Sequence, residues 1–590
     1  MIGSFTPQSI LNMEQDIHLL PPQPFFSRPA TNINQLTSNP VLQQDFRLLF
    51  VIAARAIELA TTDQQSTIAW SFMLQLPLLT LSNKTADQEV ANAFVKVFNN
   101  QTRSLLTDLL QSCNATSSNR SSNSSSPSTD EEIATKANTL LLNSGQLSKA
   151  SDRITDPVMP ISYDSGDTAL LIDRLLLTEA PITFDELIPT TTTDPPVIQQ
   201  DSVAKAIAHL HNSAPGITGW SPQLIKQVAS STAGLQAATI IVNKIFSKSL
   251  PPAIYQGISR QLLLVLSKGI DMPGVRPIML SDCWMRLMET CVAEEIPSLS
   301  HDLQPLQMAI GAPGGNEDII HLVRQALDTN AQHIVVKTDF SNAYGSISRH
   351  AIFACLREQV PAASGQLTKW FTNNHLSHPT EYLTNTGYID SYNRGVAQGS
   401  PLSMFLFCKT VHKALVMTNT MVQQKHNGNC IIVASADDTT FVGPPAAAFE
   451  AALYYAELVA TIGLNLNSAK SNVLCLNAGA MPATQHLATL HNFAQPQPII
   501  TLLGVPIGRA TEEGKAFSNA VKPGHFARLN SMNNPQSQLL LLRYSIISKY
   551  MFLTRCVPPD VSEAALTTLS SHVSQALSNI MGIDTISARV

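Results

Sequence analysis

Between residues 41 and 112 apolar residues recur every three or four positions. In DFRLLFVIAARAIELA they fall on one face, with Arg55 and Glu58 breaking the run, and WSFMLQLPLLTL keeps the same period. This is the signature of amphipathic helices. Helical periodicity returns over 131–180. From residue 200 onward strand-like and helix-like segments alternate. LLLVLSKGIDMPGVRPIML (262–280) predicts two strand-like runs around a turn, and TLLGVPIG (501–508) a tight β-hairpin. The β-branched runs Ile334, Val335, Val336 and Ile431, Ile432, Val433 read as buried strands. Near the end, Leu566, Leu569, Val573, Leu577 and Ile580 form one helical stripe.

Breakers divide this pattern. Residues 1–40 are polar and Pro-rich and read as disordered or wrapped on the surface. Residues 114–129 (NATSSNRSSNSSSPST) have too few apolar groups to offset chain entropy and read as a linker. A second breaker, 188–200, contains Pro195-Pro196. The organisation expected is a helical N-terminal region over 41–190, a main domain over 200–510 and a helical tail over 511–590.

Charge is uneven. Residues 1–200 hold 11 Lys+Arg against 20 Asp+Glu, whereas 201–590 hold 26 against 23. The mildly basic second part suits a polyanion held in a local groove. The eight cysteines form no CxxC or zinc-finger spacing and read as buried thiols in a reducing compartment. No apolar stretch approaches the ~20 residues that a membrane span needs, and no signal peptide is visible at the first residues. Those features lead us to expect an intracellular protein of nucleus or cytoplasm with no membrane partner.

The candidate chemistry lies where the two β-branched runs end. Asp339 follows the first, in IVVKTDFSNAY, and Asp437-Asp438 the second, in IIVASADDTTFVG. A lone acid there is most often an ordinary turn residue. Brought together without a neighbouring Lys or Arg, as expected here, such carboxylates repel. Two Mg²⁺ ions about 3.5–4 Å apart remove that repulsion and serve in-line phosphoryl transfer. Other segments join them in order. Lys268 and Arg276 flank a turn and suit a triphosphate. Tyr344 is placed either to sense the 2′ position of a sugar or to pack its own helix. Gln398, in RGVAQGSPLSMFLF (394–407), offers an amide between glycines that allow close approach. Lys470, in GLNLNSAKSNVLCL, is a candidate general acid for pyrophosphate.

Together these segments resemble the reverse transcriptases of non-LTR (LINE-like) retrotransposons over roughly 205–560. APGITGW resembles APGxDG, and GVRPIMLSDCWMRLMETCVAEEI the YRPI…K…E stretch. IGAPGGNEDIIHLVRQAL resembles a GxxGGxE segment. DFSNAYGSISR, GVAQGSPLSMFLF and SADDTTFVG resemble motifs A, B and C. GLNLNSAKSNV and LLGVPIG resemble motifs D and E, and LLLRYSIISKYMFLTRCVPP the opening of the thumb. The resemblance implies an α+β right-hand polymerase with fingers, an antiparallel palm sheet and thumb. It implies RNA-directed DNA synthesis on an RNA template from a DNA primer and dNTPs, with two Mg²⁺ ions, or Mn²⁺, as cofactors. Asp339, Asp437 and Asp438 would be the catalytic metal ligands; Lys268, Arg276, Phe340, Tyr344, Gln398 and Lys470 would meet the nucleotide. The sequence departs from the family at Ser435, where motif C carries an aromatic, at Thr218, where APGxDG carries its acid, and at Met404, where Pro is common. Two other classes stay open: an inactive reverse-transcriptase-like RNA-binding protein, and an RNA-dependent RNA polymerase. Oligomeric state is not legible.

Overall fold

A computed structural model describes the protein over residues 5–13, 39–81, 87–98, 129–144, 147–155, 166–179, 197–211, 213–267, 274–359, 365–376, 378–384 and 386–583. Lys268 and the linker expected over 114–129, save Thr129, lie outside these residues.

Helix α1 (Pro40–Leu59) starts where the Asn39 side chain accepts from the Val41 N–H at 3.0 Å and Pro40 fixes the first turn. Its buried face carries Phe46, Leu49, Phe50, Ala53 and Ile57, while Arg55 and Glu58 pair on the outside. In α2 (Asp63–Leu81) every residue from Ile68 on is buried. No helix among the described residues is long and apolar enough to cross a membrane. Instead α2 is enclosed by protein. Trp220 donates its indole N–H to the Met73 carbonyl at 3.1 Å. Its ring meets Phe50 at 5.5 Å and Trp284 at 5.3 Å, and Phe50 stacks on Trp284 at 5.6 Å. One core therefore joins the N-terminal helices to the main domain.

The first sheet uses β1 (Gln261–Ser267) and β2 (Val275–Leu280), an antiparallel pair in register Leu264↔Ile278. Asp282 then caps α3 (Cys283–Val292). After α4 (Gly315–Thr329) comes β3 (Ile334–Thr338). Strands β4 (Thr380–Leu383) and β5 (Ile389–Tyr392) complete the first sheet in the order β2-β1-β4-β5; β1 and β4 run parallel.

The second sheet is wholly antiparallel. Helix α5 (Ser403–His426) leads to β6 (Ile431–Ser435) and β7 (Asp438–Gly443); α6 (Pro445–Ala460) and β8 (Asn472–Leu474) come next, in the order β6-β7-β3-β8. Val336 and Phe441 enter the core shared with α5 and α6, while Val335, Val433, Val442 and Leu474 enter a second core. Covering on both faces is why β3 reads as an unbroken apolar run rather than an alternating one.

Strands β9 (Ile499–Leu502) and β10 (Val505–Gly508) form the expected hairpin. Its two-residue loop, Leu503 at φ 49° and Gly504 at φ 85°, is left-handed at both positions. The chain closes with α7 (Ile547–Cys556) and α8 (Pro559–Met581). Leu566, Leu569, Val573, Leu577 and Ile580 of α8 pack on the second core. The architecture is α+β: an antiparallel palm sheet, a four-stranded fingers sheet and a helical thumb, preceded by helices. All seven cysteines among the described residues are buried and unpaired.

Candidate polymerase active site

β3 ends at Thr338, which pairs with Thr439 of β7. Continued by one rung, that register would set Asp339 against Asp438, on one face of the ladder. Directly opposed residues of an antiparallel pair have Cβ atoms about 4.5–5.5 Å apart. Asp437 sits in the two-residue turn between β6 and β7, closed by the pair Ser435↔Asp438. Three acids from two chain segments thus meet at one end of the palm sheet. Burial raises the pKa of Asp437, and the charges of Asp438 and Asp339 raise it further.

One countercharge is present, contrary to expectation. Lys337 Nζ lies 3.0 Å from Asp438 Oδ1. Lys337 is two residues before Asp339, so strand alternation puts both on the face that carries Asp438. The signal is in the sequence: the alternation of β3 turns its one lysine toward the acids.

No three His, Cys, Asp or Glu side chains among the described residues are grouped so as to hold a metal ion. The donor chemistry nevertheless suits Mg²⁺. That ion takes oxygen ligands and binds through one or two carboxylates plus substrate phosphates and water, rather than in an all-protein cage. The mutual repulsion recorded at Asp437 is the charge that such an ion would offset.

The segment after Asp339 is fixed by two loops. From one side the Asp339 N–H donates to Ser471 Oγ at 3.0 Å, the Asn467 N–H to the Asp339 carbonyl at 2.8 Å, and the Ser341 N–H to the Asn465 carbonyl at 3.0 Å. Lys470 is exposed within that loop. From the other side Val396 and Gly395 donate to the carbonyls of Tyr344 and Ile347, both at 2.9 Å. A Cβ on Gly395 would stand 2.6 Å from the Tyr344 carbonyl, and φ is 76° there, so only glycine allows this approach. Buried Arg349 donates to the Gly395 carbonyl at 3.0 Å and secures the same loop.

Tyr344 is half-buried. Its ring stacks on Phe407 of α5, with centroids 4.8 Å apart at 13°. Burial raises its pKa, and the Cys408 and Asp437 charges add to the rise. Tyr344 is therefore both packed against the core and within electrostatic reach of the acids. Phe340, expected to meet the nucleotide, packs inward. It is 7% exposed, points to the core face of β3 and abuts Tyr455 edge-on at 5.9 Å.

The remaining candidates lie on the fingers side. Arg276 is exposed on β2. The Gln398 carbonyl accepts from the Met279 N–H at 2.9 Å, and the half-buried side chain lines a cavity with Pro277, Met279, Asn342 and Tyr392. Gly399, at φ 130°, lets the loop pass the Met279 carbonyl, which a Cβ would meet at 2.6 Å.

The departures have structural counterparts. Thr218 donates its hydroxyl to Asp282 Oδ2 at 2.6 Å, so Asp282 supplies the carboxylate that the loop itself lacks. Ser435 donates to Asn316 Oδ1 at 2.8 Å. Met404 is exposed in the first turn of α5.

Residues 267–507 match the family model described as reverse transcriptase (RNA-dependent DNA polymerase). The chain thus carries a reverse transcriptase domain. Among solved structures, apo telomerase from Candida tropicalis is similar, with 13% identity, a TM-score of 0.33, and coverage of 55% of this chain and 61% of that chain. The chain therefore spans less than two thirds of that telomerase chain, and at this score the likeness adds nothing to the fold. No curated protein matches the sequence.

Proposed function

We propose that the protein is an RNA-directed DNA polymerase of the non-LTR retrotransposon kind. It would act in the nucleus or cytoplasm on an RNA template, a DNA primer and dNTPs. The observation that carries this reading is the meeting of Asp339, Asp437 and Asp438 at the open end of the palm sheet, within the matched reverse transcriptase segment.

In the reaction, the primer 3′-oxygen forms a bond to the α-phosphorus of the dNTP. The bond from that phosphorus to the bridging oxygen breaks, pyrophosphate leaves with the electron pair, and the hydroxyl proton passes to solvent. Such transfer depends on positioning and on charge stabilisation. Mg²⁺ bound by the three carboxylates, or Mn²⁺ in its place, would neutralise carboxylate and phosphate charge and activate the attacking hydroxyl. The chain's own groups orient the reactants. Arg276 stands exposed on β2 where it can meet phosphate oxygens bidentately. The Tyr344 ring, braced by Phe407, limits the space at the sugar. Lys470 stands on the loop that grips Asp339 and is free to approach the leaving group.

Primer extension on a defined RNA template, with dNTPs or NTPs and with Mg²⁺ or Mn²⁺, tests this. DNA synthesis supports it; NTP incorporation alone would favour an RNA polymerase instead. A non-catalytic RNA-binding role has one observation in its favour, the engagement of Asp438 by Lys337. Template binding without synthesis under any metal would establish that second reading.

A further inference from the structure

Gln307 is fully buried, and its side-chain amide is spent on one residue of the catalytic turn. Gln307 Nε2 donates to the Ala436 carbonyl at 3.1 Å, and Gln307 Oε1 accepts from the Ala436 N–H at 2.8 Å. Oε1 also accepts from the Ala309 N–H at 3.2 Å. The amide thus pairs with both backbone groups of Ala436, as a neighbouring strand would. The backbone around it does the same two residues earlier, at Ala434. The Ala434 N–H donates to the Leu306 carbonyl and the Met308 N–H to the Ala434 carbonyl, both at 2.8 Å. Segment 306–308 therefore covers the outer edge of β6, which the palm sheet leaves unpaired.

Ala436 needs this support. Its φ is 55°, in the left-handed region where the Cβ of an alanine is unfavourable. The next residue is Asp437. A change of φ at Ala436 would swing the Asp437 carboxylate away from Asp438 and Asp339. Both backbone groups of Ala436 find their partner in this one side chain.

We infer that Gln307 is a positioning residue for catalysis: its amide locks the strained turn that aims Asp437. The inference deepens the polymerase reading and rests on it. The Gln307 side chain is fully buried and bonds to the backbone of Ala436 and Ala309, so it acts through Ala436. Outer residues that orient metal ligands typically change metal affinity or activity 10–100-fold when altered.

The test uses the full-length protein with Gln307→Met, which keeps length and volume but neither hydrogen bond, and Gln307→Asn, which keeps the amide but falls short of Ala436. Five quantities are read: kcat and KM for single-dNTP extension, Kd for primer–template, Mn²⁺ affinity without nucleic acid, and melting temperature. For Gln307→Met we expect kcat to fall on the order of 10²-fold and Mn²⁺ affinity about tenfold. Primer–template Kd should stay near that of the parent protein. Gln307→Asn should behave alike, with the fold intact by melting. The inference is overturned if both variants keep kcat within about threefold and Mn²⁺ affinity unchanged, or if rate falls only in step with the folded fraction. A parent protein that binds Mn²⁺ but extends no primer would remove the polymerase reading; equal Mn²⁺ affinity in parent and variants would then still overturn the role of Gln307. A parent that neither binds Mn²⁺ nor extends a primer overturns both.

Discussion

Lys337 and Asp438 form an ion pair of 3.0 Å across the central ladder of the palm sheet, on the face that also carries Asp339. The lysine offsets part of the repulsion among three acids and engages one carboxylate oxygen of Asp438. Any cation that recruits Asp438 competes with this pair.

Removing the lysine should therefore favour the cation. Both partners are partly exposed, so the pair itself contributes about 1 kcal/mol or less. Lys337→Met is expected to lower the Mg²⁺ concentration for half-maximal extension by about fivefold, the equivalent of about 1 kcal/mol, with little change in melting temperature. A metal titration of variant and parent measures this. An unchanged or higher midpoint would show that Lys337 does not compete for Asp438.

Tyr344→Ala tests the sugar contact. The ring is half-buried and stacked on Phe407, so some stability must be lost. Removal of a large core side chain costs about 3–5 kcal/mol, and a half-buried ring should cost less. If the ring also limits the space at the sugar, the rNTP/dNTP incorporation ratio should rise, by an amount equivalent to about 2–4 kcal/mol. Competition between rNTP and dNTP at one template position gives the ratio. A large fall in melting temperature with an unchanged ratio would assign Tyr344 to packing alone.

Legibility of this fold tracks burial. The strands β3, β6 and β7, the hairpin of β9 and β10, and the stripe on α8 are readable because each carries a local period or an apolar run that the core enforces. The acids are readable because they interrupt such runs. Less visible are partners that depend on tertiary approach. Gln307 sits in an irregular segment with no period, and only the fold brings it to Ala436. Ser471 and Asn467 reach Asp339 through a loop that carries no hydrophobic signal. For Phe340, adjacency to Asp339 suggests a nucleotide contact; alternation along the strand instead turns it to the core. The same alternation places Lys337 beside the acids, which a reading by apolar runs alone does not reveal.

Glu289 offers a stability test away from the acids. It is buried on α3, its Oε2 has no hydrogen-bond partner, and burial pushes its pKa up to about 7 despite a hydrogen bond with Ser400 and the Arg286 charge. A folded-state pKa above the unfolded value means the folded protein holds the extra proton. The stability this gives is full below about 4.5 and is lost as pH rises to about 7. Glu289→Gln should therefore match the parent at low pH and exceed it above pH 7, by about 3 kcal/mol at most. Denaturant unfolding of both proteins across pH measures the difference. A gap independent of pH would contradict the raised pKa.

Trp220→Ala tests whether the N-terminal helices belong to the polymerase core. The indole is wholly buried between Phe50 and Trp284 and holds the Met73 carbonyl. Loss of about 3–5 kcal/mol is expected, with faster proteolysis of α1 and α2. Unfolding by denaturant and limited digestion check both. A change below about 1 kcal/mol would mean that the helices dock weakly.

The most direct measurement of the central claim is primer extension by Asp437→Asn beside the parent, with melting temperatures taken in metal-free buffer. Asp437 is crowded by the charges of Asp438 and Asp339, so neutralising it should leave the fold at least as stable. The account predicts extension by the parent, a loss of more than about 10²-fold in the variant, and a melting temperature that is equal or higher. Extension by the variant within about tenfold of the parent would contradict a catalytic role for Asp437, and with it the assignment of the three acids as the polymerase site.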